Sequence, residues 1–433
     1  MSEHEALTVH APSELALERP PLSLVEVDDG IERRTLPEGV AYWLAAAVVG
    51  LGLFASVTPS PLYHSYSVLW SFSPLTLTLV YATYSFGVLA TLLLAGRASD
   101  LAGRRPVLLG SLAILMASTV VFMFADSVVW LFVARGLQGL ATGAALSSAS
   151  AALLDLHPRR DPTGVALTNG VASAAGLGLG ALVSASIVQL GTAPRILPYV
   201  ILLVLFALAF AGAYWMPEPI QERSRFRLTL QRPSIPAVAR RPFVLAGLAV
   251  LSSWSIGGLF FSLGPQLSAH LFDTTNVIGS AAGVVALAGS AALSQILLGR
   301  TAPWIGAAAG SIALASGVLL IVAATASSSP ALFLTGSVIG GLGFGIAFLG
   351  GLRTLVSAIP SEHRAAVMSA FYIVAYASLS IPAVLAGFVV THLGLQTTFE
   401  AFGGVVAGIA LVVAAEAWRT RPVSLLAIEE RPC

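Results

Sequence analysis

Gly96-Arg97-Ala98-Ser99-Asp100-Leu101-Ala102-Gly103-Arg104-Arg105 lies between two long apolar stretches, Leu75 to Ala95 and Pro106 to Phe124, and supplies much of the charge in that part of the chain. Ten residues so placed read as a tight loop between two membrane helices. Arginines beside a span anchor its topology, glycines permit a tight turn and close helix approach, and an acid among bases offers a charge pair. Gly96, Asp100, Gly103, Arg104 and Arg105 together therefore read as a charge lock at a membrane face.

Composition carries the same message outward. With 56% hydrophobic residues, 10% charged residues and a mean hydropathy of +0.87, the chain lacks the charged surface of a soluble globule and reads as an integral membrane protein. All 22 basic residues are arginine, a usage that points to a high-GC bacterial genome. One cysteine, Cys433, excludes a disulfide framework and a clustered metal site, so no metal or cofactor is expected. A net charge of +1 gives no reason to expect nucleic acid as a partner.

Apolar segments recur at roughly the 20 residues needed to cross about 30 Å of hydrocarbon. Twelve are expected, near 39–58, 74–95, 106–124, 127–154, 164–190, 197–216, 243–267, 276–298, 303–324, 330–356, 365–391 and 397–418. The stretch 1–38 is acidic and lacks the basic start and short apolar core of a signal peptide, so it reads as a disordered cytoplasmic tail. A polar connection at 217–242 divides the spans into a half at 39–216 and a half at 243–418, and 419–433 forms a second cytoplasmic tail. If both termini are cytoplasmic, twenty of the 22 arginines fall on that side, leaving Arg135 within a span and Arg195 outside.

Features recur about 203 residues apart. Leu93 to Arg97 is echoed by Ile296 to Arg300, Pro158 and Arg160 by Pro360 and Arg364, and Pro59, closing the first span, by Pro265, closing the seventh. The offset argues for duplicated six-span halves. After Arg300 the sequence reads Thr301-Ala302-Pro303-Trp304, so a charge lock is expected in the first half alone.

The order Gly, three residues, Asp, two residues, Gly, Arg, Arg between the second and third spans resembles the signature of the major facilitator superfamily of transporters. Arg135-Gly136-Leu137-Gln138-Gly139 in the fourth span resembles the same superfamily's fourth-helix signature, whose arginine is associated with proton transfer or conformational coupling. The resemblance implies an all-α fold of twelve transmembrane helices in two pseudo-symmetric six-helix halves. It implies coupling roles for Arg135, Gln138 and Gly139, against which stands an arginine snorkelling to the outer headgroups. It also implies that Asp100 packs against the inner end of the eleventh helix when the protein is closed to the cytoplasm. Gly170, Gly176, Gly178 and Gly180 in the fifth span partly resemble the antiporter motif, without its proline, and close packing through small residues explains them equally.

No acid lies near the middle of any span, which weakens a proton-coupled mechanism. Polar and aromatic residues expected to line a cavity between the halves are Tyr81, Tyr84, Asn169, Trp254, Gln266, Gln295, Tyr372 and Tyr376. A lining so poor in charge favours a neutral, lipophilic or weakly cationic substrate. The expected function is alternating-access efflux from the bacterial cytoplasm, driven by protons, by a monomer in the lipid bilayer. An uptake symporter or uncoupled facilitator is the alternative. A membrane-embedded lipid-processing enzyme would need a catalytic constellation, and none is found, so no enzymatic activity is expected.

Overall fold

The computed structural model describes residues 35–96, 98–220, 235–359 and 364–420. The acidic tail through Arg34, Arg97, most of the central connection and the segment from Arg421 lie outside the described residues, so the expectations placed there are not taken further. The described residues are helical apart from their connections, and twelve helices are long and apolar enough to cross a membrane. This is the form a chain must take where lipid offers its backbone no hydrogen-bond partner.

The first half contains α1 (Glu38–Val57), α2 (Tyr63–Trp70), α3 (Pro74–Ala95), α4 (Ala98–Ala102), α5 (Arg104–Met123), α6 (Val128–Asp155), α7 (Pro162–Leu190) and α8 (Leu197–Tyr214). The second contains α9 (Arg240–Leu271), α10 (Val277–Leu298), α11 (Pro303–Ser327), α12 (Pro330–Ala358), α13 (Arg364–Leu393) and α14 (Leu395–Arg419). Several starts are written in the sequence as a capping residue followed by proline, whose missing N–H costs nothing at a helix N-terminus. Ser73 before Pro74 accepts from the amide of Thr76, and Asp161 before Pro162 accepts from those of Thr163 and Gly164.

Packing repeats between the halves. Within the first, α1 packs on α6 and α7, α3 on α6, and α5 on α6 and α8; within the second, α9 packs on α12 and α13, α10 on α12, and α11 on α12 and α14. Across the seam, α3 meets α13 and α7 meets α10, a pair of contacts that exchange under the same duplication. The described residues fall in one compact unit that begins at Thr35.

After the first span a turn at Ser60–Leu62 leads into the short helix α2. One expectation is corrected. Pro265 does not close the seventh span: it lies inside α9, which runs on to Leu271. A proline is tolerated inside a membrane helix when a neighbour takes up the carbonyl that its ring leaves free.

Candidate functional site

The arginine-bearing face, with Arg104, Arg105, Arg300 and Arg353, is called the inner face here, following the charge distribution. At that face Gly103 takes φ +102°, a conformation few other residues adopt, and turns the chain from α4 into α5. Arg104, the first residue of α5, is thereby buried. Its guanidinium donates to Asp155 at the end of α6 (2.9 Å), to Ser99 (2.8 Å) and to Asp100. Glu218, just beyond α8, accepts from the amides of Arg104 (2.9 Å) and Arg105 (3.0 Å), so one carboxylate satisfies two unpaired donors at the start of α5. A Cβ on Gly103 would stand 2.6 Å from that carboxylate. Arg105 turns away, with its guanidinium 5.2 Å from the centre of the Tyr214 ring. Gly96 ends α3, and its carbonyl accepts from Ser147 (3.3 Å).

Of the five residues of the expected lock, Asp100 and Gly103 gather at Arg104, while Arg105 turns to Tyr214 and Gly96 to Ser147; Asp155 and Glu218 are partners that the sequence reading missed. Asp100 keeps 50% of its side chain exposed. Among the described residues no amide of α13 reaches it, and the segment that leads into α13, 360–363, lies outside them. At the corresponding place in the second half an arginine meets carbonyls in place of acids. Arg353 on α12 donates to the carbonyls of Gly299 (2.7 Å) and Thr301 (2.9 Å) after α10.

Arg135 lies two turns into α6 from the opposite, outer end and is 0% exposed. Snorkelling is therefore excluded. The guanidinium turns inward to the end of α1, where it donates to the hydroxyl of Tyr63 (2.8 Å from Nε), to the carbonyl of Ser56 (2.8 Å) and to Gln138 Oε1 (2.6 Å). Gln138 in turn donates to the carbonyl of Ala55 (3.0 Å), so the two side chains three residues apart on α6 hold consecutive carbonyls of α1. The rings of Tyr63 (5.5 Å), Tyr84 (5.6 Å) and Phe122 (5.9 Å) surround the charge. Burial raises the pKa of Tyr63 above its usual value despite the opposing pull of Arg135, so Tyr63 remains a neutral phenol. Gly139 explains how α3 comes close enough to contribute Tyr84: any side chain there would run into the Tyr84 carbonyl. No carboxylate pairs with Arg135 among the described residues.

The expected cavity residues separate into groups. Tyr84, Trp254, Tyr372 and Tyr376 meet across the seam between α3 and α13, with Trp254 edge-on to Tyr376 at 5.3 Å. Asn169 and Gln295 sit along the seam between α7 and α10; each has a buried side-chain oxygen without a hydrogen-bond partner, and that of Gln295 presses against Gly170. Tyr81 belongs instead to an outer seal with Val57, Ala181, Phe261, Val284 and Ala383. Gln266 is half-buried one residue beyond Pro265. The fifth-span glycines pack α7 against neighbours, Gly176 and Gly180 on α1 and Gly178 on α10, which fits the packing reading.

The outer seal is also polar. Ser60 Oγ donates across the halves to the carbonyl of Phe261 (2.7 Å), four residues before Pro265, the acceptor that the proline ring leaves free. Gln189 at the end of α7 accepts from the amide of Val277 at the start of α10 (2.8 Å).

Twelve membrane helices in two duplicated halves, sealed against each other at one face and carrying a buried arginine beside that seal, define the architecture of a two-domain membrane transporter. The family model of the Major Facilitator Superfamily matches residues 40–321. The chain belongs to that superfamily, and its role is transport, not enzymatic catalysis. No curated protein matches the sequence. Among solved structures it is similar to the crystal structure of the human organic anion transporter MFSD10 (TETRAN), with a TM-score of 0.64 and 18% identity over 87% of this chain and 100% of that one. Identity at that level speaks for the fold alone.

Proposed function

We propose that the protein exports a small lipophilic molecule across the bacterial cytoplasmic membrane by alternating access, as a monomer with both termini cytoplasmic and with protons as the coupling ion. The observation that carries this reading is Arg135. Its bonds, with those of Gln138, tie α6 to the end of α1 directly beside the outer seal, so a change in the charge or hydration of that cluster bears on whether the seal holds. The network around Arg104, with Gly96, Asp100, Gly103 and Arg105, would serve as the lock at the inner face. The aromatic group of Tyr84, Trp254, Tyr372 and Tyr376 supports a lipophilic substrate.

Of the substrates that the sequence allows, the weakly cationic kind fits less well. A buried arginine that no acid neutralises raises the energy of a second cation beside it. Uncoupled facilitation is the second reading, favoured by the absence of an acid from the middle of every span. The test is uptake of a panel of fluorescent lipophilic compounds into everted membrane vesicles. Uphill accumulation that collapses with a proton ionophore supports the proposal. Downhill movement indifferent to the ionophore supports facilitation, and movement of no compound would refute the transport role itself.

A further inference from the structure

The helices that meet across the halves, α3, α7, α9, α10, α12 and α13, and the helices α1 and α6 packed against them contain two acids, Glu38 and Asp155. Glu38 is exposed at the very start of α1, and Asp155 is held by Arg104. One arginine lies well inside these helices: Arg135 donates to a phenol, a carbonyl and an amide oxygen. Dipoles solvate this charge without cancelling it, so the seam beside it is left electropositive.

Arg135 does not need to touch a substrate for this to matter. Its guanidinium carbon is 5.6 Å from the centre of Tyr84, and Tyr84 packs on the Trp254 and Tyr376 group across the seam. A ligand among those rings would lie roughly 10 Å from the charge. At an effective dielectric constant of about 20, one unit of ligand charge at that separation changes affinity roughly 15-fold, upward for an anion and downward for a cation.

Resting on the transport reading above, we propose that the substrate is a small lipophilic anion: an aromatic or aliphatic body carrying one carboxylate or comparable acidic group. The rings take the apolar body. The indole N–H of Trp254 and the hydroxyls of Tyr372 and Tyr376 are uncharged donors for the acidic group. The interior thereby lacks a countercharge that the cargo itself supplies.

Equilibrium dialysis on the detergent-solubilised full chain tests this with three probes that share one ring system: 1-naphthoate, 1-naphthalenemethanol and 1-naphthylmethylammonium. Naphthoate is expected to bind tightest, with a Kd at least tenfold below that of the ammonium compound and below that of the alcohol. Arg135→Gln should narrow the anion-to-cation ratio at least threefold, and the ranking of the three probes on the unmodified chain remains the test should that variant fail to fold. A Kd for the ammonium compound at or below that of naphthoate, or a ratio unchanged in the folded variant, overturns the proposal. Cation preference alongside gradient-driven movement would leave the transport reading standing. Failure of that reading shows separately, as no movement of any vesicle compound, charged or neutral.

Discussion

Ser60 and Pro265 act together at the outer seal, and a double-mutant experiment can measure it. In the sealed arrangement the Phe261 carbonyl, deprived of its intrahelical donor by Pro265, depends on Ser60 Oγ at 2.7 Å. Ser60→Ala leaves that carbonyl buried and unpaired, at a cost of about 1–3 kcal/mol, whereas water can satisfy it once the seal opens. The ratio of unsealed to sealed molecules should rise about 5- to 150-fold. Pro265→Ala restores a backbone N–H in reach of Phe261, so Ser60→Ala in that background should cost at most half as much. Spin labels on cysteines at Ser65 and Thr275, both exposed and in opposite halves, report the opening as a longer-distance population once Cys433 is replaced. An unchanged distance distribution in Ser60→Ala, or an equal shift with and without Pro265, refutes the reasoning.

Two further predictions concern the inner face. Asp100→Asn removes one of two acids held by Arg104, and if Asp100 also meets the start of α13 on inner closure, spin labels on the inner ends of the halves should show a larger inward-open fraction. A contact of that kind with a helix end, about 0.3–2 kcal/mol, changes the ratio of conformers roughly 2- to 30-fold; an unchanged distribution makes Asp100 a solvated residue. For topology, a cysteine at Ser224 should react with an impermeant thiol reagent only in opened cells and one at Thr275, exposed between α9 and α10, also in intact cells, and the reverse pattern would invert the protein.

The spans were legible because crossing lipid demands a long apolar run, and only their ends shifted. Pro265 was misread for a physical reason: in water a proline ends a helix, but here a serine on the other half takes up the freed carbonyl, and no local pattern announces a partner some 200 residues away. Arg135 was recognised as the informative charge, yet its distance from the outer end suited snorkelling as well as burial, and only the fold brings Tyr63 and Ser56 within reach. Asp155 left a usable signal, an acid at the inner end of a span beside an arginine-rich loop. Glu218 left almost none, since its role as the cap of α5 depends on where α8 ends. The cavity residues were chosen by chemical type, and type alone does not separate Tyr84, which faces the seam, from Tyr81, one turn earlier, which closes the outer seal.

Removal of Arg135 is the most direct test of the proposed link between transport and the outer seal. Arg135→Ala should abolish proton-gradient-driven movement in everted vesicles while the protein reaches the membrane at near-normal level. Arg135→Lys should retain little activity, because one ammonium group cannot reproduce the planar fork that spans Tyr63, Ser56 and Gln138. Wild-type transport rates in Arg135→Ala would contradict the claim.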